Sequence, residues 1–114
     1  MQSGIIGIAD MLESEVENAQ GDILGDVVDF MLDIEKGCIV YVILSFTDLI
    51  PGADRLYPVP WQVFQVDLDR QALIMDKTLE TLTEAPSFEA EDWPNFACDR
   101  LAKEVKAFYL RHHK

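Results

Sequence analysis

Basic residues are scarce in this chain: nine Lys and Arg stand against 21 Asp and Glu among 114 residues, a formal net charge of −12. Such a surface repels phosphate backbones and anionic headgroups at long range, so direct nucleic-acid binding is not expected. Histidine is scarcer still. His112 and His113 are adjacent and sit near the end, which leaves the body of the chain without a ligand pair or a base for a nucleophile. The two cysteines, Cys38 and Cys98, are too far apart in sequence to outline a disulfide framework or a zinc site. Cys38 falls in an apolar run and reads as a small buried hydrophobe, and both thiols fit a reducing, cytoplasmic setting.

Long apolar runs are also missing. The longest, Cys38 to Leu44, spans seven residues, far short of the roughly 20 a membrane helix needs. The first ten residues hold no Lys or Arg, so a secretory leader and membrane insertion are not expected. Phosphate-cradling glycine loops are absent, and neither Ser14, Ser45 nor Ser87 stands in a nucleophile-elbow setting. No catalytic, cofactor-binding or metal-ligating set can be assembled, and an enzyme is not expected.

What is present reads as a small β domain. Residues 1–10 form an arm, with one short strand laid against the body. From Leu24 the pattern turns to period two: Leu24, Val28, Phe30, Leu32 and Ile34 share one parity, while Gly25, Asp29, Asp33 and Glu35 share the other. This predicts a half-buried strand with a wet acidic face. Asp26 breaks the pattern beside Gly25, which predicts a bulge or bend there. Lys36-Gly37 between two apolar runs marks a hairpin turn. The return run, Cys38 to Phe46, is apolar on both parities and reads as a central strand covered on both faces. Gly21, Gly25 and Gly37 are the turn and bulge glycines.

After a loop over Thr47 to Asp54, Pro58 and Pro60 restrict Arg55 to Trp61 to a sheet edge or barrel corner, because proline cannot donate to a ladder. Gln62 to Asp67 and Ala72 to Met75 are two further strands around a turn at Asp69-Arg70-Gln71. Asp76 reads as the N-cap of a short helix ended by Pro86. Ser87 to Phe96 is a polar connection whose Phe88, Trp93 and Phe96 predict packing onto the body. Asp99 opens a final helix with an apolar stripe of Leu101, Val105, Phe108, Tyr109 and His112. That stripe must lie against the domain's own sheet or a second copy. Leu101, Val105, Phe108 and Tyr109 are therefore the candidate interface, and a homodimer is the expected assembly. Asp29 and Asp33 read as solvated strand-face charges, and Trp61 and Trp93 as packing anchors.

The run Asn18-x-x-Gly21-x-x-x-Gly25-x-x-x-Asp29-x-x-x-Asp33-x-x-x-Gly37-x-Ile39-x-Tyr41, then Leu44-Ser45-Phe46, resembles the PRC-barrel domain. Leu56-Tyr57-Pro58-Val59-Pro60-Trp61 is similar to that family's ending, and Ala85-Pro86-x-Phe88 with Asp92-Trp93-Pro94 resembles the tail of stand-alone bacterial members. The likeness runs from Ala9 to Phe96. It departs from the pattern around Glu13-Ser14 and in the loop from Thr47 to Gly52. The resemblance implies a small, mainly antiparallel β-barrel over residues 11–76, with short helices in a C-terminal extension, 77–114, packed on the barrel or on a second subunit. It also implies a docking role, as in the reaction-centre H subunit and a ribosome maturation factor. The expected function is thus a non-catalytic interaction or scaffolding module without cofactor, its partner unknown. The alternative is an accessory to ribosome assembly or RNA processing that acts through a protein partner.

Overall fold

The alternating run from Leu24 and the apolar run from Cys38 pair as one long hairpin, and that hairpin organises the molecule. The computed structural model describes residues 4–12, 14–46, 55–97 and 99–110. Its elements are α1 (Ile8–Met11), β1 (Glu15–Glu17), β2 (Ile23–Asp33), β3 (Cys38–Ser45), β4 (Arg55–Pro60), β5 (Phe64–Asp67), β6 (Ala72–Met75), α2 (Leu79–Leu82), β7 (Phe88–Glu89) and α3 (Asp99–Tyr109). A 3₁₀ turn over Trp61–Val63 joins β4 to β5. The fold is mainly β with short helices, as the residue patterns predict.

Seven strands form one sheet in the order β5-β6-β1-β2-β3-β4-β7. All neighbouring pairs are antiparallel except β1 with β6. The sheet is not closed among the described residues: β5 and β7 are its ends, so the expected barrel is an open one. Its inward faces nevertheless meet in a single core that runs from Met11 through Val42, Val59 and Leu73 to Tyr109. Strands as short as β1 and β7 hold no period-two signal. β1, and β7 within the Ser87 to Phe96 connection, were accordingly not legible in the sequence.

The hairpin turn forms where Lys36-Gly37 predicts it, over residues 34–37, with Gly37 at φ +69°. The Asp33 side chain accepts hydrogen bonds from the Glu35 and Lys36 amides at 3.0 and 3.1 Å, an Asx-type closure of the turn. A second turn links β1 to β2: Asn18 Oδ1 accepts from the Gln20 and Asp22 amides, and Gly21 sits at φ +90°. Gly25 has a different reason to be glycine. It is buried in β2, and a Cβ there would lie 2.1 Å from the Ser45 carbonyl oxygen of β3. It permits close strand approach, on the covered side and not on the wet acidic face that its parity predicts.

The expected facing of β2 needs correction. Leu24 is buried, but Val28, Leu32 and Ile34 are exposed and Phe30 is half-buried, whereas Val27 is buried. The pairing with β3 skips Val28, and a second irregularity falls between Met31 and Leu32, where Val40 is the extra residue on β3. Each such bulge inverts which parity faces the core. A third irregularity, between Val16 and Glu17 of β1, lies opposite Leu24 and Gly25, close to the predicted bulge. In β3 the prediction of two covered faces holds for Tyr41 to Leu44, which are buried. Cys38 is exposed, because the hairpin end projects beyond the core.

β4 carries Pro58 and Pro60, both buried, paired through their carbonyl sides with Ile43 and Tyr41. On its other side β4 pairs only at Arg55 and Leu56, with β7, so neither proline interrupts a second ladder. Arg55 fastens this end, donating to Ser87 Oγ at 2.7 Å and to the Ser87 carbonyl at 3.1 Å. Trp61 turns the corner, half-buried and edge-on to Phe30 at 6.3 Å. The short helix α2 is capped by Thr78, whose hydroxyl accepts from the Thr81 amide at 3.2 Å, and not by Asp76. β6 ends at Met75, Asp76 lies in a bend, and Thr78, still extended, is the residue from which the helix starts. Residues 8–11 of the arm form a helical turn in place of the expected strand.

Candidate functional site

The C-terminal stripe lies against the chain's own sheet. Val105 and Tyr109 are fully buried in the core, and Leu101 and Phe108 are half-buried against it. A side chain already covered within its own chain has no face to give a partner. Of the four candidate interface residues, only Leu101 and Phe108 keep surface. His112 lies outside the described residues, as do Cys98 and the loop from Thr47 to Asp54.

Exposed apolar surface is found elsewhere, at the end of the β2–β3 hairpin. Ile34 in the turn is 87% exposed, Leu32 54% and Val40 39%. Leu32 and Val40 flank the second irregularity near the end of the ladder, and Ile34 lies in the turn beyond its last pair, Asp33 with Cys38. Polar substitution of the same positions would have been compatible with the strand, so their apolar character is not a folding requirement of the core.

Beside them lies a groove of about 530 Å³ between the hairpin end and α3. Met31 and Tyr41 from the hairpin and Phe96 and Ala102 from the C-terminal segment form its apolar lining. Tyr41 and Phe96 pack with ring centroids 5.8 Å apart, and Phe96 continues into Phe88 and Trp93 at 5.8 and 6.1 Å. Trp93 is held by a 2.8 Å hydrogen bond from its indole N–H to the Ala90 carbonyl. A chain of four rings thus fixes the segment 88–96 against the hairpin, which fulfils the packing that its aromatics predict. Burial pushes the Tyr41 hydroxyl above its ordinary pKa, in keeping with a floor shielded from water. Charges rim the groove in order: Asp33 and Glu35, with Lys36, on the hairpin wall, and Lys106 on the helix wall beyond Asp99.

Several carboxylates have structural partners. Asp29 accepts from the Phe30 amide at 2.7 Å, and Asp33 closes the hairpin turn. Glu17 is buried at the centre of the sheet, and both its oxygens accept from Arg70, at 2.5 and 2.6 Å. This pair draws the β5–β6 turn onto β1, and nothing in the sequence pattern signalled it. Among the described residues no three His, Cys, Asp or Glu side chains are placed to hold a metal ion. No helix among them is long and apolar enough to cross a membrane.

With the sheet order and hairpin in place, comparison with family models is decisive: the PRC-barrel domain matches over residues 3–82, well over half of the chain. The chain belongs to the PRC-barrel family. No curated protein matches it significantly. The PRC-barrel match closes at Leu82, the last residue of α2, earlier than the likeness to Phe96 read from the residues. One wall of the groove is therefore PRC-barrel hairpin, and the other is a segment beyond the family domain. Gly21, Gly25, Gly37, Pro58, Pro60 and Trp61 all fall within the PRC-barrel match, at its turns, its close strand crossing and its corner.

Proposed function

We propose that this PRC-barrel chain is a non-catalytic docking module, and that the hairpin end with its adjoining groove is the face it uses. One observation carries the reading: Leu32, Ile34 and Val40 stay exposed beside an apolar groove, where neither fold nor solubility requires them. Soluble surfaces pair such clusters with something that covers them. Asp29 and Asp33 bond to neighbouring backbone amides and Glu17 pairs with Arg70, which supports binding over turnover at these positions. Self-association is part of this reading. A reducing, cytoplasmic setting goes with it, because Cys38 is an exposed free thiol.

The test places a photo-cross-linking amino acid at Leu32, and separately at the exposed Glu80 on α2, in cells of the source organism. Covalent protein adducts are expected from position 32 and not from position 80. Equal yields at both positions, or none at 32, would remove the hairpin end as the docking face.

A further inference from the structure

We propose that the occupant of the groove is the hairpin end of a second copy of this chain, the two related by a two-fold axis. The proposal rests on the hairpin end being the docking face. A two-fold interface uses one patch twice, so that patch must contain both what projects and what receives. This one does. Ile34 and Leu32 project at the hairpin end, and the groove lined by Tyr41 and Phe96 opens directly beside them, sharing Leu32 as part of its wall. A partner with only a protruding segment would fill the groove and leave Ile34 in water; a second copy covers both.

The order of charges points the same way. The hairpin wall carries Asp33 and Glu35 against the single Lys36, while Lys106 stands on the helix wall; Arg100 of the same helix is already paired with Glu104. A two-fold axis sets Asp33 and Glu35 of each copy toward Lys106 of the other, and both pairings form at once. A uniformly cationic segment from another protein would meet Lys106 as well as the acids. Asp99, at the start of α3, is the one acidic group on the helix wall of the groove and sits a full two turns before Lys106.

Sedimentation equilibrium on the full chain, from low micromolar to about 200 µM, reads the assembly. The mass is expected to approach twice the 12.9 kDa of one chain. Ile34→Asp should weaken association by roughly tenfold or more, with the circular dichroism spectrum unchanged because the side chain touches no core. Glu35→Lys and Lys106→Glu should each weaken it, and the double exchange should restore it, since the reversed pair is still a pair. A wild-type chain that stays monomeric overturns the second copy as occupant. If Leu32 cross-links persist in that case, the docking face stands and its occupant is another protein; if they too are missing, both readings fall. A dimer that Ile34→Asp leaves intact, or single charge reversals without effect, overturns this surface as the dimer interface.

Discussion

Tyr109 offers a sharp test of the core. Its ring is fully buried at the C-terminal end of α3, packed edge-on against Phe108 at 4.9 Å, and its hydroxyl has no hydrogen-bond partner among the described residues. A buried hydroxyl without a partner costs about 1–3 kcal/mol relative to water. Tyr109→Phe removes that cost, keeps the ring and leaves only an oxygen-sized gap, which offsets part of the gain. The expected net effect at neutral pH is stabilisation by about 1 kcal/mol, or about 4 °C in thermal midpoint for a domain of this size. Alkaline pH supplies an independent arm. Burial, and after it the neighbouring Tyr57, pushes the Tyr109 pKa far above its ordinary value of 10.0. The unfolded chain therefore releases this proton near pH 10 while the folded chain holds it. Stability is full below that pH and falls as pH rises beyond it, by about 1.4 kcal/mol per unit from this group. Tyr109→Phe should lack that part of the slope, while Tyr41, also raised by burial, continues to contribute in the same direction. Urea titrations at pH 7, 10 and 11, followed by far-ultraviolet circular dichroism, measure both arms. A Phe variant less stable than wild type by 1 kcal/mol or more at pH 7, or one with an unchanged alkaline slope, would refute the reasoning.

The two functional classes of glycine separate by substitution. Gly25→Ala puts a Cβ against the β3 backbone, which cannot yield without moving the strand, so a loss of about 3 kcal/mol is expected in chemical denaturation. A thermal midpoint within two or three degrees of wild type would contradict it. Gly37 has open space around its would-be Cβ and differs only in its positive φ, so Gly37→Val should cost about 1–3 kcal/mol while Gly37→Asn costs far less; equal midpoints for the two variants would count against backbone strain as the cause. Arg70→Ala strands the buried Glu17 carboxylate. Since Arg70 is itself largely solvated, the expected loss is about 1–2 kcal/mol, and Glu17→Gln in the same chain should recover much of it. A double variant no better than Arg70→Ala would show that the charge is not what matters.

Much of the fold was legible because its signals are local. Gly37 needs a left-handed backbone whatever surrounds it, proline forbids a second ladder at Pro58 and Pro60, and the apolar run to Leu44 has to be covered. From these the hairpin, the one-sided pairing of the prolines, the corner at Trp61 and the final amphipathic helix could be read before any coordinates. Val28, Leu32 and Ile34 were misread because alternation assigns a parity, not a face. A bulge set by pairing with β3 exchanges the two faces, and no residue within β2 announces it. Glu17 was missed for a related reason: nothing in a three-residue strand sets it apart from Glu15, and its Arg70 partner is 53 positions away.

The candidate surface divides along the same line. That the C-terminal helix has one apolar face follows from its own residues, since the 3.6-residue turn puts Leu101, Val105 and Phe108 together in any setting. Which body that face covers is a long-range choice. Folding spends it on the chain's own sheet, because an intramolecular contact is made without the loss of translational freedom that association requires. The docking face proposed above is instead the hairpin end, whose apolar side chains lie where the β2–β3 ladder runs out, a place defined only once the two strands are paired.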